Sequence, residues 1–371
     1  MIDVRAQFSK KTIIARAARK LASRPFPIGR DINILVLSEN NEISKSQIFP
    51  FYFYAEEMSR RWSYSLREVD TNEFEMDEKI APLGATLIFI QAWFDLTAAR
   101  SRNIFEKINK RYPGAISIFF DSFAPTDLRL ADMLDEDIEG YFKKNIFRDR
   151  GRYMRGTCGD TFLDQYYGAR YGIKQELKNF KIPSYFLDKI ILSPGFFTAQ
   201  RMLPSFFFNS SHLGLSKRTD IHARLASKGD GWYGMMRREA SKSLNSLGKY
   251  SITQGPGIPL RKYMKEMRES RICFSPFGFG EVCWRDYEAV LCGSLLVKPD
   301  MAHVETHPDI FIPYETYIPV SWDFSDVAEK IEYYLSNEAE RKKIADRAYR
   351  VLRNYVVGDG FCDQIAPLMS Y

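Results

Sequence analysis

The chain alternates short, wholly apolar runs with longer amphipathic stretches. Residues 32–38 read INILVLS, residues 85–91 ATLIFIQ and residues 115–121 AISIFFD. Apolar runs of this length, without polar alternation, fit strands buried on both faces. Residues 64–69 and 140–144 continue the series. Between these runs, residues 46–61 and 97–111 carry apolar positions at helical spacing. A second series begins near residue 218. Strands are expected there over 219–225, 250–253, 272–275, 294–297 and 317–321, and helices over 233–247, 260–269, 282–292 and 325–335, with a last helix over 338–355. Strands alternating with helices predict parallel, doubly wound sheets. The fold class is therefore α/β, with two Rossmann-like domains facing a cleft lined by both rows of strand ends. The aromatic, Gly- and Pro-rich stretch from about 150 to 216 reads as inter-domain helices and loops.

At 371 residues the chain suits two domains, and its 45% hydrophobic and 27% charged composition is that of a folded protein. No apolar run approaches the roughly 20 residues of a membrane span. The start lacks the ordered regions of a secretory leader, so secretion is not expected. Five cysteines without a CxxC spacing argue against disulfide staples and zinc knuckles, and for a reducing cytoplasm.

Charge adds one feature. Residues 1–30 hold eight Lys and Arg against Asp3 alone, which accounts for the whole net charge of +6. The body is neutral, so a nucleic-acid partner is not expected. Ile14, Ala17, Ala18 and Leu21 share one face of the basic stretch, which ends at Arg24-Pro25. A cationic amphipathic helix of this kind can lie on an anionic membrane surface from the cytoplasmic side; the plainer reading is a solvated helix.

The chemistry concentrates in residues 271–299, RICFSPFGFGEVCWRDYEAVLCGSLLVKP. This is a strand, a glycine-broken loop, a helix and another strand. Pro276, Gly278 and Gly280 make a loop with little side-chain bulk, where backbone amides can approach a phosphate at a helix N-terminus. Arg285 and Glu288 stand three apart on one helix face. Arg285 can offer a forked donor set to a diphosphate, and Glu288 can accept from a ribose diol. An intrahelical Arg–Glu pair is the bland alternative.

The pattern Cys273-x-x-Pro276-x-Gly278-x-Gly280, then Arg285-x-x-Glu288-Ala289-x-x-x-Gly293-x-x-x-Val297, resembles the donor-binding signature of GT-B glycosyltransferases, particularly the exostosin-like branch and bacterial surface-glycan enzymes similar to it. The resemblance implies a nucleotide-sugar donor on the C-terminal domain, with Glu288 at the ribose, Arg285 at the diphosphate, and Ser275, Tyr287, Gly278 and Gly280 around them. It implies an acceptor, a glycan or lipid-linked sugar, on the N-terminal domain. The expected division is a basic arm over 1–30, an acceptor domain over 31–200, a donor domain over 201–355 and a helical tail over 356–371 returning to the first domain. Retaining members often carry a second glutamate eight positions before the first; here that position is Gly280, and Glu281 falls one later. Inversion and retention both stay open, with Glu281 a candidate sugar contact.

Arg224 and Lys228, after the first strand of the second series, are further phosphate candidates. For a general base the candidate is Asp121, at a strand end of the first sheet, with Asp95 and Glu39 as alternatives. Cationic side chains can stabilise a departing diphosphate without a metal, so no cofactor is expected. Asp135-Glu136-Asp137 precedes its strand instead of following one and reads as a solvated acidic loop. His303 and His307 lack a helix to hold a metal. Competing classes are a GT-B-fold sugar-nucleotide epimerase or phosphorylase, and a non-catalytic nucleotide- or glycan-binding module.

Overall fold

The computed structural model describes residues 24–39, 41–92, 96–159, 161–209, 216–227, 229–255 and 257–371. The basic arm up to residue 23, Asp95 and Lys228 lie outside these residues.

The first sheet has six parallel strands: β1 (Ile32–Ser38), β2 (Tyr64–Asp70), β3 (Leu87–Ile90), β4 (Ile116–Asp121), β5 (Gly140–Lys143) and β6 (Ile190–Leu192), in the order β2-β1-β3-β4-β5-β6. Both faces are covered, as the unbroken apolar runs require. Ile34, Val36, Phe89, Phe120 and Phe142 face one layer; Leu35, Leu37, Ile88, Ile90, Phe119 and Tyr141 face the other. This is the period of two expected within a strand. β6 lies inside the stretch read from sequence as helices and loops. Its three residues are only half-buried, at the sheet edge, so they carry no strong apolar signal.

The second sheet repeats the plan with five parallel strands: β7 (Thr219–His222), β8 (Ile252–Thr253), β9 (Ser270–Phe274), β10 (Leu295–Pro299) and β11 (Ile318–Val320), in the order β8-β7-β9-β10-β11. The two Rossmann-like halves are thus both present. One buried apolar cluster runs through both, from Ile34 and Phe120 to Leu295 and Val356.

The chain end crosses back to the first half. The Tyr54 hydroxyl donates to the carbonyl of Val356 at 2.7 Å, and Phe361 stacks on Tyr54 at 5.1 Å. Arg61 pairs with Asp359 and Asp363, each at 2.7 Å. Among the described residues, no helix is long and apolar enough to cross a membrane.

Candidate functional site

Parallel strands put the loops that follow them at one end of each sheet, and these two ends meet. The loop after β4 touches the loop after β9. A Cβ at Gly280 would lie 1.9 Å from the Ala124 carbonyl oxygen, and Thr126 donates its hydroxyl hydrogen to Glu281 at 2.6 Å. Gly280 is therefore a glycine because two backbones meet there, not because a phosphate needs the space. The Gly278 amide is spent on the Gly280 carbonyl at 3.1 Å, so Gly278 has no free N–H to offer a phosphate. Phe279, between them, is 64% exposed and stacks on Tyr233 at 4.3 Å.

The helix Trp284–Leu291 opens with a capping box: the Asp286 carboxylate accepts the Cys283 N–H at 2.8 Å. Asp286 also accepts the Ser275 hydroxyl at 2.6 Å and pairs with Lys298 at 3.1 Å, with both charged side chains fully buried. Ser275 thus positions the helix start and does not face the cleft. Tyr287 is a core residue; its ring meets Phe197 at 5.5 Å and is 1% exposed, which removes it from the donor set. Sequence reasoning missed Asp286 and Lys298; the N3 position of the helix was the available signal for the first.

The opposite helix face carries Glu288 and Arg285. Glu288 is buried. Its Oε1 meets Arg201 at 2.7 Å and its Oε2 accepts the Tyr263 hydroxyl at 3.0 Å. Burial pushes its carboxyl above the usual range, while Arg201, Tyr263 and Arg285 pull the other way. Arg201 belongs to the inter-domain segment. It also reaches Glu42 at 2.9 Å and lies 4.2 Å over the Trp284 ring, which stacks on Phe196 at 4.6 Å. Lys144 also packs on Phe196, at 4.1 Å, its amine lowered to about 7, chiefly by burial. Neither Arg201 nor Lys144 stands out in the sequence, because segment 150–216 has no pattern to read and Lys144 looks like a strand end.

Arg285 donates to the Arg224 carbonyl at 2.7 Å, and its Nε has no partner among the described residues. Arg237, 5% exposed, likewise leaves Nε unpartnered and lies 5.0 Å over the Tyr233 ring. Neither arginine pairs with a carboxylate among the described residues. Burial lowers the Arg237 pKa and Arg285 lowers it further by repulsion. Close to these cations sits His222, wholly buried with both ring nitrogens unpartnered and its pKa lowered to about 4, first by burial and then by Arg285. Arg224 is less available than the sequence suggests. Its guanidinium forks onto Glu266 at 2.5 and 3.1 Å and reaches the Gln254 carbonyl at 2.8 Å.

The base candidates separate. Asp121 is 1% exposed and shares its carboxylate with the equally buried Lys143, the Tyr141 hydroxyl at 2.7 Å and the Phe123 N–H at 2.7 Å. These partners all belong to the first half, so Asp121 anchors the loop after β4. Glu39 is tied to Arg100 at 3.1 Å. Glu281 lies on the seam itself. Its Oε1 accepts no hydrogen bond among the described residues and faces His303 Nε2 at 3.9 Å. Asp135 of the acidic triplet is buried and pairs with Lys189 at 3.0 Å, so it is a clamp and not the solvated loop expected. No group of three or more possible metal ligands occurs among the described residues.

Residues 214–358 match a family model described as glycosyl transferase-like. An alpha-glucosyltransferase solved in complex with UDP and a 13-mer DNA containing a HMU base has a similar fold. It shares 9% identity and a TM-score of 0.52, over 92% of this chain and 100% of that one. A glycosyltransferase from Rickettsia africae ESF-5 shares 10% identity and a TM-score of 0.50, over 91% of this chain and 98% of that one. These likenesses show the fold to be that of the GT-B transferases.

Proposed function

We propose that this chain, a GT-B fold whose residues 214–358 form a glycosyltransferase-like domain, transfers a sugar from a nucleotide-sugar donor to a hydroxyl of a glycan or lipid-linked acceptor. The observation that carries the reading is the pair Arg285 and Arg237. The buried Arg237 and the half-buried Arg285, close enough for Arg285 to lower the Arg237 pKa and without a carboxylate partner among the described residues, favour a polyanion between the sheets. A donor diphosphate supplies it, and we read Glu288, one helix turn from Arg285, as the ribose acceptor, reached when a ribose hydroxyl replaces its Tyr263 contact.

The reaction asks little more of the chain. Glu281 Oε1, at the seam, takes the proton of the acceptor hydroxyl. The acceptor's own oxygen, freed of that proton, bonds to the anomeric carbon as the bond from that carbon to the diphosphate breaks. The negative charge that leaves with the diphosphate is met by Arg285 and Arg237 in place, with no reorganisation at the moment of reaction. This is an inverting route and needs no metal.

The test is a thermal-shift screen of the wild type and Arg285→Met against UDP, GDP, CMP, dTDP and ADP with their common sugars. One nucleotide class should raise the wild-type midpoint and leave the variant unmoved, since binding to the folded state stabilises it by mass action. No shift with any nucleotide would overturn the donor reading.

A further inference from the structure

A second group of unsatisfied positive charge lies on the other side of the seam. The segment 148–155 carries four arginines in eight residues. Arg150 is satisfied by Glu305 at 2.8 Å. Arg148 reaches the Ala302 and Val304 carbonyls at 3.3 and 3.2 Å, and Asp309 only at 3.5 Å, and it stays half exposed. Arg152 is different. Its guanidinium carbon lies 3.4 Å from the centre of the Phe162 ring and 5.4 Å from that of Phe147, and it pairs with no carboxylate among the described residues. Aromatic faces offset some of the cost of burying a guanidinium, but they satisfy none of its five hydrogen-bond donors.

The short ribbon pairing Val304 with Phe147 and Glu305 with Ile146 brings the loop after β10 beside this segment. It delivers His303, whose Nε2 is buried without a hydrogen-bond partner. The result is a cavity of about 320 Å³ lined by Phe147, Arg148, Asp149, Arg152, Ala302 and His303. Asp149 is its one carboxylate, and Oδ1 of that group already accepts the Gly151 N–H at 3.0 Å. His303 in turn faces Glu281 at 3.9 Å, so the cavity adjoins the carboxylate placed at the seam.

We propose that this cavity binds a phosphoryl group, held by Arg152 and Arg148 with His303, and that the acceptor carries it. The cavity's affinity for phosphate stands on its own; that the acceptor bears the group rests on the transferase reading above. The donor diphosphate is met by a different set, Arg285 and Arg237, so the chain holds two oxyanion sites flanking Glu281. Arginine forks suit phosphate oxygens geometrically, and an acceptor fixed by its phosphate would present a neighbouring hydroxyl to Glu281.

The site is tested by equilibrium dialysis of labelled inorganic phosphate at constant ionic strength, on the wild type, Arg152→Met, His303→Gln and Arg285→Met. Part of the wild-type binding should weaken at least tenfold in Arg152→Met and several-fold in His303→Gln, yet persist in Arg285→Met. Wild-type protein that binds no phosphate, or binding that Arg152→Met leaves within twofold, overturns the site. Should Arg152→Met not fold, binding that His303→Gln leaves within twofold overturns it equally. Loss of the donor reading would show instead as Arg285→Met changing nothing. With a phosphorylated sugar and its neutral parent as acceptors, Arg152→Met should raise KM about tenfold for the first only. An equal rise for both overturns the acceptor assignment.

Discussion

Replacing Glu288 by glutamine separates two roles that the geometry overlays. The carboxylate is 5% exposed at its side chain and holds Arg201 at 2.7 Å and Tyr263 at 3.0 Å. Breaking a fully buried ion pair costs about 3–5 kcal/mol. Arg201 is 23% exposed and keeps Glu42 at 2.9 Å, and glutamine still fills the space, so the cost here falls to about 1–3 kcal/mol. With 371 residues unfolding together, each kcal/mol moves the midpoint by about 1.3 °C, so a drop of about 1–4 °C is expected by differential scanning fluorimetry. Donor binding should suffer separately. Hydrogen bonds to a charged acceptor are worth about 1.5–3 kcal/mol, so nucleotide affinity should fall about 10- to 100-fold by calorimetry. Arg201→Met is the control: it loosens the same seam but keeps the carboxylate, so the midpoint should fall similarly while affinity changes less than about threefold. A Glu288→Gln protein that melts early yet binds nucleotide like the wild type would refute the ribose role and leave Glu288 as a clamp on the inter-domain segment.

Asp121→Asn should cost about 3–5 kcal/mol in urea denaturation, because Lys143 is left buried without its acid; turnover per folded molecule should stay within about threefold, and a stable variant with turnover down about a thousandfold would restore Asp121 as the base. Gly280→Ala should lower stability by about 1–3 kcal/mol by forcing its Cβ into the Ala124 carbonyl; an unchanged midpoint would mean the two loops part at no cost. His222, lowered to about 4 from about 6.5 when unfolded, makes folding favour its neutral form. Its contribution is complete above about pH 6.5 and is lost as pH falls towards about 4, up to about 3 kcal/mol. His222→Gln should flatten the stability curve over that window; matching slopes for the two proteins would count against the buried neutral imidazole.

The fold was legible where burial on both faces leaves a mark. The unbroken apolar runs of β1, β3 and β4 and the glycine stop after the helix Trp284–Leu291 carry the doubly wound plan in the residues themselves. The half-buried edge strand β6 has no such mark, because an edge strand is held by one neighbour and need not be apolar throughout. The helix expected as one piece over 46–61 is two, Glu42–Phe53 and Ala55–Arg61, with Pro50 inside the first. The buried face that holds it there is made by tertiary contacts, which no local pattern records.

The site was legible on one side only. Spacing along a single helix places Arg285 and Glu288 on one face, and that arithmetic holds regardless of the rest of the chain. The partners of that face come from distant segments: Arg201 and Lys144 through the Phe196–Trp284 stack, Arg237 from the helix after β7, and His303 from the loop after β10. The errors have the same cause. Asp121, Ser275, Tyr287 and Gly280 all sit at the expected strand end or helix start, but Lys143, Asp286, Phe197 and Ala124 occupy them. Position along the chain says which residues arrive at the seam. Which of them face a substrate is a question of the charges left without an opposite charge once the two halves have closed, and on that criterion the base we propose is Glu281 rather than Asp121, with Arg285 and Arg237 on one flank and Arg152 on the other.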